Sequence, residues 1–547
     1  MKSFIVLFLL ITFQSFPQFI LQWEKSWSSS GFNNEELDLM ITDYDGNIIA
    51  AGSTYHTSIS YMNVSLAKFS PGGELIWNKL YDLGWSDEPI GLYTNSNRDI
   101  FMGVRGADVS IYNPSFVYAK YDKDGNKLFG NNFTYYLGGD NIAGSSNQFY
   151  CDHYGYYYIG GVESKVAWRI KMTDQGTRID SSASIISSDP AVNIRSNAHT
   201  GFLDPSTQEL FTGATTRNSN VSPATESLSI VKIDNSGQFV WKTNLLTHAA
   251  DNLSSYVQKI IKTSDGNLLI ISKLYAETIP STDTTTVFLT KLDPGGTIVW
   301  QRKFPKPNAL HNHDIHDIRL DAGGQIVIAG TLNNQFALMK LSQANEIQWS
   351  IQDPTLFSGD VLMTDADYNI YCGAMDTLGR SYLVRYTRTG QELFRYAFPI
   401  AGVSPYFPFY IAKILPLGGG NYLIGGSRPV SGKQAFYIAK ITDPTTSIET
   451  STIPSSFRLL QNYPNPFNPE TTIRYQIPEQ SDVFITVHTL LGEEVLSIKK
   501  NNVPAGEHQQ PFQGNELPSG IYFCTVKSAS IQNGNVQQST IKMVLMR

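Results

Sequence analysis

A short phrase recurs along this chain and limits its fold more than any other feature: a turn, a few apolar residues, then a glycine. It stands as DGNIIAAG at residues 45–52. It returns as HYGYYYIGG (153–161), QELFTG (208–213), DGNLLIIS (265–272), GGQIVIAG (323–330), DYNIYCG (367–373) and GGNYLIGG (419–426), with a looser copy at 97–103. A second phrase, LAKFSPGGELIWNKLY at 66–81, reads as two strands around a glycine turn. It recurs from Ile230 and Leu289, and from Leu338 without the turn glycine. The spacing of about 45 to 60 residues is that of propeller and array repeats. Lys68, Lys120, Lys171, Lys232, Lys291, Lys340, Arg385 and Lys440 mark the second phrase, which makes eight copies.

Short strands between turn residues, with no helical period, predict about four strands per copy. Four-stranded sheets arranged radially are propeller blades, with only short protected edges. The eighth copy stops after AKITDPTTS (439–447), before the strand that carries tryptophan elsewhere. LQWEKSW (21–27) matches LIWNKLY (75–81) at the leucine, tryptophan, lysine and final aromatic. The expected fold is therefore all-β: an eight-bladed β-propeller over residues 19–444, its last blade closed by the N-terminal strand.

The other divisions follow from composition. Lys2 and the apolar run 4–13 read as a signal peptide over residues 1–18, too short to span a bilayer. No later apolar stretch predicts a transmembrane helix. Residues 445–456 (TTSIETSTIPSS) read as a linker. Residues 457–547 hold short alternating strands between Pro, Gly and Asn turns, which predicts a small immunoglobulin-like β-sandwich. In DVFITVHTL, Val483, Ile485 and Val487 should face its core. A net charge of −7 without basic clusters excludes a nucleic-acid surface. Three scattered cysteines give neither a disulfide framework nor a CxxC spacing.

The recurring Trp77, Trp241, Trp300 and Trp349 read as blade-to-blade packing. The recurring lysines alternate with Leu or Ile, so their stems should lie on apolar surface while the ammonium reaches outward. Loops entering each blade carry acids, including Glu35, Glu36 and Asp317. From them come the candidate ligand-binding residues Asp87, Glu88, Asp140, Asp251, Asp314 and Asp360, with His313 from the segment HNHDIHD (311–317). Oxygen-rich loops suit Ca²⁺, and His311, His313 and Asp314 are candidate transition-metal ligands in a curled loop. No other cofactor is expected. Tyr406 and Phe407, in SPYFPFY (404–410), suit stacking on a sugar or gripping a protein. No GxSxG, HExxH or phosphate loop is present, which leans away from an enzyme. Carboxylates drawn from distant blades leave a polysaccharide hydrolase or lyase as the alternative, and a structural surface-layer component as a further one.

The repeats resemble those of secreted bacterial β-propellers. They also resemble the tryptophan-bearing blades of quinoprotein dehydrogenases, although this chain lacks the adjacent cysteines that reading implies. The tail resembles the type A C-terminal sorting domain of the type IX secretion system. The resemblance lies in NYPNPFNP (462–469), LLGEEV (490–495), LPSGIYF (517–523) and a last apolar strand ending in a basic residue. Asn462, Tyr463, Pro464, Asn465, Pro466, Phe467, Gly492, Gly520 and Tyr522 carry it. It implies export through the periplasm to the cell surface or medium, with the secretion machinery and a surface peptidase as partners. The remaining partner would be a glycan or surface protein bound by a non-enzymatic propeller. Cys524 departs from the family's aromatic or aliphatic residue and reads as a buried small hydrophobe.

Overall fold

The computed structural model describes residues 19–28, 32–56, 62–82, 87–107, 114–133, 135–137, 140–142, 148–151, 157–163, 166–185, 192–195, 201–218, 221–222, 224–249, 253–276, 286–304, 313–400, 402–403, 408–443, 457–462, 465–503, 506–515, 517–531 and 535–546. The signal-peptide and linker segments lie outside these residues. The chain divides into two compact units, Met1–Pro444 and Thr445–Arg547.

The first unit is built of antiparallel sheets in chain order. Sheet one holds Phe32–Thr42, Ile48–His56, Met62–Phe69 and Leu75–Tyr81. Sheet two starts at Glu88–Thr94, sheet three at Gln148–Cys151, sheet five at Leu253–Lys262, sheet six at His313–Leu320 and sheet seven at Ser358–Thr364. Each has four strands. Sheet four has five, because Val192–Arg195 and Gly201–Leu203 both pair with Leu210–Asn218. Sheet eight has three consecutive strands, Tyr410–Gly418, Asn421–Val430 and Lys433–Thr442, and its fourth is Ile20–Trp27 from the chain's beginning. Trp23 lies opposite Lys440, and Trp27 opposite Phe436. The matching of LQWEKSW to LIWNKLY thus corresponds to a real strand position.

The second strands are nearly continuous apolar runs because both of their faces are covered. In the second strand of sheet one, Ile49 and Ala51 pack with Met102, Val104 and Tyr121 of sheet two. The alternate residues Ile48 and Ala50 pack with Leu423, Phe436 and Ile438 of sheet eight. Sheet eight is therefore tied to sheet one. The Leu37 amide donates to Ser427 Oγ at 3.0 Å, and the Trp27 and Phe69 rings stand 4.8 Å apart.

The tryptophans act as expected, from sheet to sheet. Trp77 Nε1 donates to the Lys123 carbonyl of sheet two at 3.1 Å, and Trp300 Nε1 to the Gln343 carbonyl of sheet six at 3.0 Å. Trp23 lies flat against Gly73 of sheet one, where a Cβ would fall 2.6 Å from the ring at a φ of +84°. Only glycine meets both conditions.

The recurring lysines correct the sequence reading. The ammonium groups of Lys68, Lys120, Lys232, Lys291 and Lys340 do not reach outward but stand in ion pairs with their side chains largely buried. Lys68 meets Asp43 at 2.9 Å and Lys340 meets Asp321 at 2.6 Å, both lysine side chains 6% exposed. Asp43 also accepts from the Asp45 and Asn47 amides, so one carboxylate forms the turn and neutralises the lysine. Arg385 takes Asp443 at the end of the unit instead, at 2.8 Å.

The second unit has two sheets around one core. Arg458–Leu459, Glu470–Ile477 and Gly506–Gln513 form the smaller. Glu494–Val503, Ser481–Thr489, Gly520–Ser530 and Val536–Leu545 form the larger, in that order. Val483, Ile485, Val487 and Cys524 are all fully buried in the shared core.

Candidate functional site

The first strands of sheets one, two, five, six, seven and eight share one irregularity: a β-bulge that slips the register by one residue. The extra residues are Asp38, Ile90, Gln258, His316, Asp360 and Ala412 in turn. A bulge re-aims its side chain and is common beside sites. It also explains the glycine that ends the recurring phrase. A Cβ at Gly52 would sit 2.1 Å from the Glu36 carbonyl oxygen, and one at Gly330 2.0 Å from that of Asp314. The bulge pushes that carbonyl into space a side chain would occupy.

First strands of neighbouring sheets that carry the bulge touch, sheet eight against sheet one included. Groups from sheets that are not neighbours also feel one another. Lys259 of sheet five and Lys413 of sheet eight are in electrostatic contact, as are Lys413 and Arg319 of sheet six; between neighbours, Lys413 also feels Asp38 of sheet one. The bulged strands therefore converge on one polar space.

Three constellations occupy it. In the first, His316 lies between two carboxylates, with Nδ1 3.1 Å from Asp360 and Nε2 3.5 Å from Asp314. Lys273 holds Asp314 from behind at 2.6 Å. Burial alone would lower the imidazole pKa, but the bonds to Asp314 and Asp360 override it and push it up to about 9. Burial raises the Asp314 carboxyl, and His316 and Lys273 outweigh this, holding it below the usual range. The second is acidic: Glu36, Asp38 and Glu88. Burial, with Glu88 and Glu36 adding to it, lifts Asp38 to about 7 although Ser53 donates to it twice. Burial and then Glu88 raise Glu36. The third gathers Lys259, Asp317, Arg319 and Lys413. Lys259 pairs with the buried Asp317, and Arg319 Nε stands 3.4 Å from its other oxygen.

Among the residues singled out from sequence, Asp314 and Asp360 are brought together through His316, and Glu88 joins the acidic group. They are strand residues, not loop residues: HNHDIHD is a strand from His313 onward. From His313 onward the segment is therefore extended rather than curled, and Asp314 is engaged by Lys273 and His316. Among the described residues no three His, Cys, Asp or Glu side chains are grouped to hold a metal ion. Asp87 is fully buried beside sheet one, where its amide donates to the Met62 carbonyl at 3.0 Å. Asp140 lies in Asp140–Ile142, outside the bulged strands, and its side chain and that of His313 are not described. Asp251, His311, Tyr406 and Phe407 lie outside the described residues. Sequence reasoning missed Asp38, Gln258, Lys259, Arg319 and Lys413. The signal was present: Asp38 directly follows Leu37, the strand partner of motif glycine Gly52.

The second unit's motif grips its last strand. Asn465 Oδ1 accepts the Val544 amide at 2.8 Å, and Phe467 exchanges backbone bonds with Val544 and Met546 at 2.9 Å each. Asn462 is buried and donates to Thr471 Oγ1 at 2.9 Å, while Pro466 follows Asn465 through a cis peptide. Gly492 turns at a φ of +87°, Gly520 opens its strand, and Tyr522 donates to the Pro518 carbonyl at 2.7 Å. Tyr463 and Pro464 lie outside the described residues.

This unit defines an exported protein carrying its address at the C-terminal side. Residues 461–542 match the family described as secretion system C-terminal sorting domain, that of the type IX system, so the chain is exported to the cell surface or extracellular space. The secretion machinery is accordingly a partner. Among the described residues no helix is long and apolar enough to cross a membrane. No curated protein matches the chain in sequence. Similar solved structures include a Bacteroides caccae protein of unknown function, at 12% identity and a TM-score of 0.29, covering 68% of this chain and 97% of that one. A Penicillium chrysogenum alpha-L-arabinanase complexed with arabinobiose matches at 10% and 0.34, covering 65% and 92%. The Fusarium graminearum alpha-L-arabinofuranosidase matches at 9% and 0.33, covering 64% and 91%. At these scores the likenesses carry no argument about activity.

Proposed function

We propose that residues 19–444 form a closed eight-bladed β-propeller that binds a glycan at the polar space of its bulged strands, after export directed by the sorting domain. The leading segment 1–18 acts as the signal peptide. Residues 445–456 link the propeller to an immunoglobulin-like sandwich over 457–547, which a surface peptidase removes. The observation that carries the binding reading is the repeated bulge. It turns Asp38, Gln258, His316 and Asp360, from four sheets, toward a common space. Fixed carboxylates, an amide and an imidazolium are the groups that hydrogen-bond a polyhydroxylated ligand. His316, Asp314 and Asp360 are tied to one another, which suits holding a ligand better than shuttling protons. Binding of the purified protein to a glycan panel tests this. His316→Gln and Asp360→Asn should each weaken the binding of any hit about tenfold; unchanged affinity in both sinks the assignment of the site.

A hydrolase remains the second reading because of Asp38. A carboxyl raised to about 7 beside Glu36 and Glu88 is what a general acid requires. Release of reducing ends from a bound polysaccharide, abolished by Asp38→Asn, would select that reading.

A further inference from the structure

The residue just after each bulge forms one tier of the ring, and in three sheets that residue is charged. Lys259 follows the bulge of sheet five, Asp317 that of sheet six and Lys413 that of sheet eight. Arg319 lies two residues beyond Asp317, on the same face of its strand. Asp317 cannot balance this group. Its Oδ1 already accepts the Ile318 amide at 2.8 Å and Lys259, while its Oδ2 accepts the Leu362 amide at 2.8 Å and faces Arg319. Arg319 Nε also donates to the Leu362 carbonyl at 3.1 Å. Among the described residues Lys413 has no hydrogen-bond or ion-pair partner. The other acid it feels, Asp38, accepts two bonds from Ser53.

Three cations therefore share one saturated carboxylate. Burial and then Arg319 disfavour the charged form of Lys413. A half-buried ammonium kept among like charges costs stability, and an arriving anion would relieve that cost. We infer that Lys413, Arg319 and Lys259 form a subsite for an anionic substituent, a carboxylate or sulfate, on the bound glycan. This rests on the glycan-binding reading but fails separately from it. Phosphate shares the same chemistry as an inorganic ion and serves as a probe of the bare subsite.

The test is calorimetric titration of the full chain with four probes: oligogalacturonate, the matching neutral oligogalactose, a sulfated galactan oligosaccharide and inorganic phosphate. The acidic sugars should bind about tenfold or more tightly than the neutral one. That advantage should shrink as salt is raised, and whichever acidic sugar binds better identifies the substituent. Lys413→Met should erase the advantage and melt at an equal or higher temperature. If Lys413→Met fails to fold, Arg319→Gln serves in its place. Equal affinity for acidic and neutral sugars overturns the subsite while leaving glycan binding intact, as does a preference that survives both substitutions. Phosphate binding that Lys413→Met abolishes, with no sugar bound, supports the subsite and sinks the glycan reading. Binding of none of the four overturns both.

Discussion

The imidazole of His316 gives the most quantitative handle on the bulged strands. In an unfolded chain its pKa is near 6.5; between Asp314 and Asp360 it is raised to about 9. A raised histidine stabilises the fold fully below the unfolded value and loses that contribution as pH climbs through the folded one. The shift corresponds to about 3 kcal/mol. Below pH 6.5 both states hold the proton, so wild type should exceed His316→Gln by this amount plus any packing difference. Above about pH 9 the imidazole is neutral in both states, and the gap should narrow to the packing difference alone. Urea unfolding of both proteins at a series of pH values, followed by tryptophan fluorescence, measures the narrowing gap. NMR titration of the His316 ring protons, assigned by their loss in His316→Gln, gives the midpoint directly. A midpoint near 6.5, or a gap that does not change with pH, would refute the pairing and with it the aim of the bulge.

Gly330→Ala must displace the Asp314 carbonyl, 2.0 Å from the added carbon; the His316 midpoint should fall back toward 6.5 in the same NMR titration. Asp38 has the same sign of pH dependence, but here the charged form is the disfavoured one. Its carboxyl is raised from 3.8 to about 7, so the folded state binds this proton more tightly and stability is lost as pH rises between those values. Asp38→Asn should therefore stabilise the protein at pH 8 by an amount that vanishes near pH 4, as thermal melts at the two pH values will show. Lys68→Met strands the Asp43 carboxylate, fully buried at its side chain, and should cost about 3 to 5 kcal/mol in denaturant unfolding.

The sheets were legible because turn and apolar run repeat in the chain, and the double burial of each second strand makes that run continuous. Even the looser copies fold alike: Arg98, Gln208 and Tyr368 adopt the positive φ that glycine takes in the regular ones. What stayed hidden was charge placement. Lys68 looks like any amphipathic strand lysine, and only the fold brings it to Asp43. HNHDIHD resisted a strand reading because its bulge breaks the period of two, leaving Ile315 and Ile318 both buried though three apart. Asp38, His316 and Asp360 each stand eight residues before the positive-φ residue of the turn, Gly46, Gly324 and Tyr368, but they differ in type, so no recurring residue marks the position. In the tail, Gly506–Gln513 escaped notice as a strand because GEHQQPFQ is almost wholly polar and gives the core only Phe512.

Everything proposed for the ring depends on its closure by the chain's first strand. Glu24 lies opposite Ala439 in that pairing, and the Tyr437 hydroxyl donates to Glu24 at 2.8 Å. Opposed residues in antiparallel strands are within disulfide reach. In the Glu24→Cys, Ala439→Cys double variant, mild oxidation should join the two cysteines almost completely. Peptide mass spectrometry would find the bridge between segments more than 400 residues apart. Free thiols at both positions in the folded, oxidised protein would contradict the closed ring.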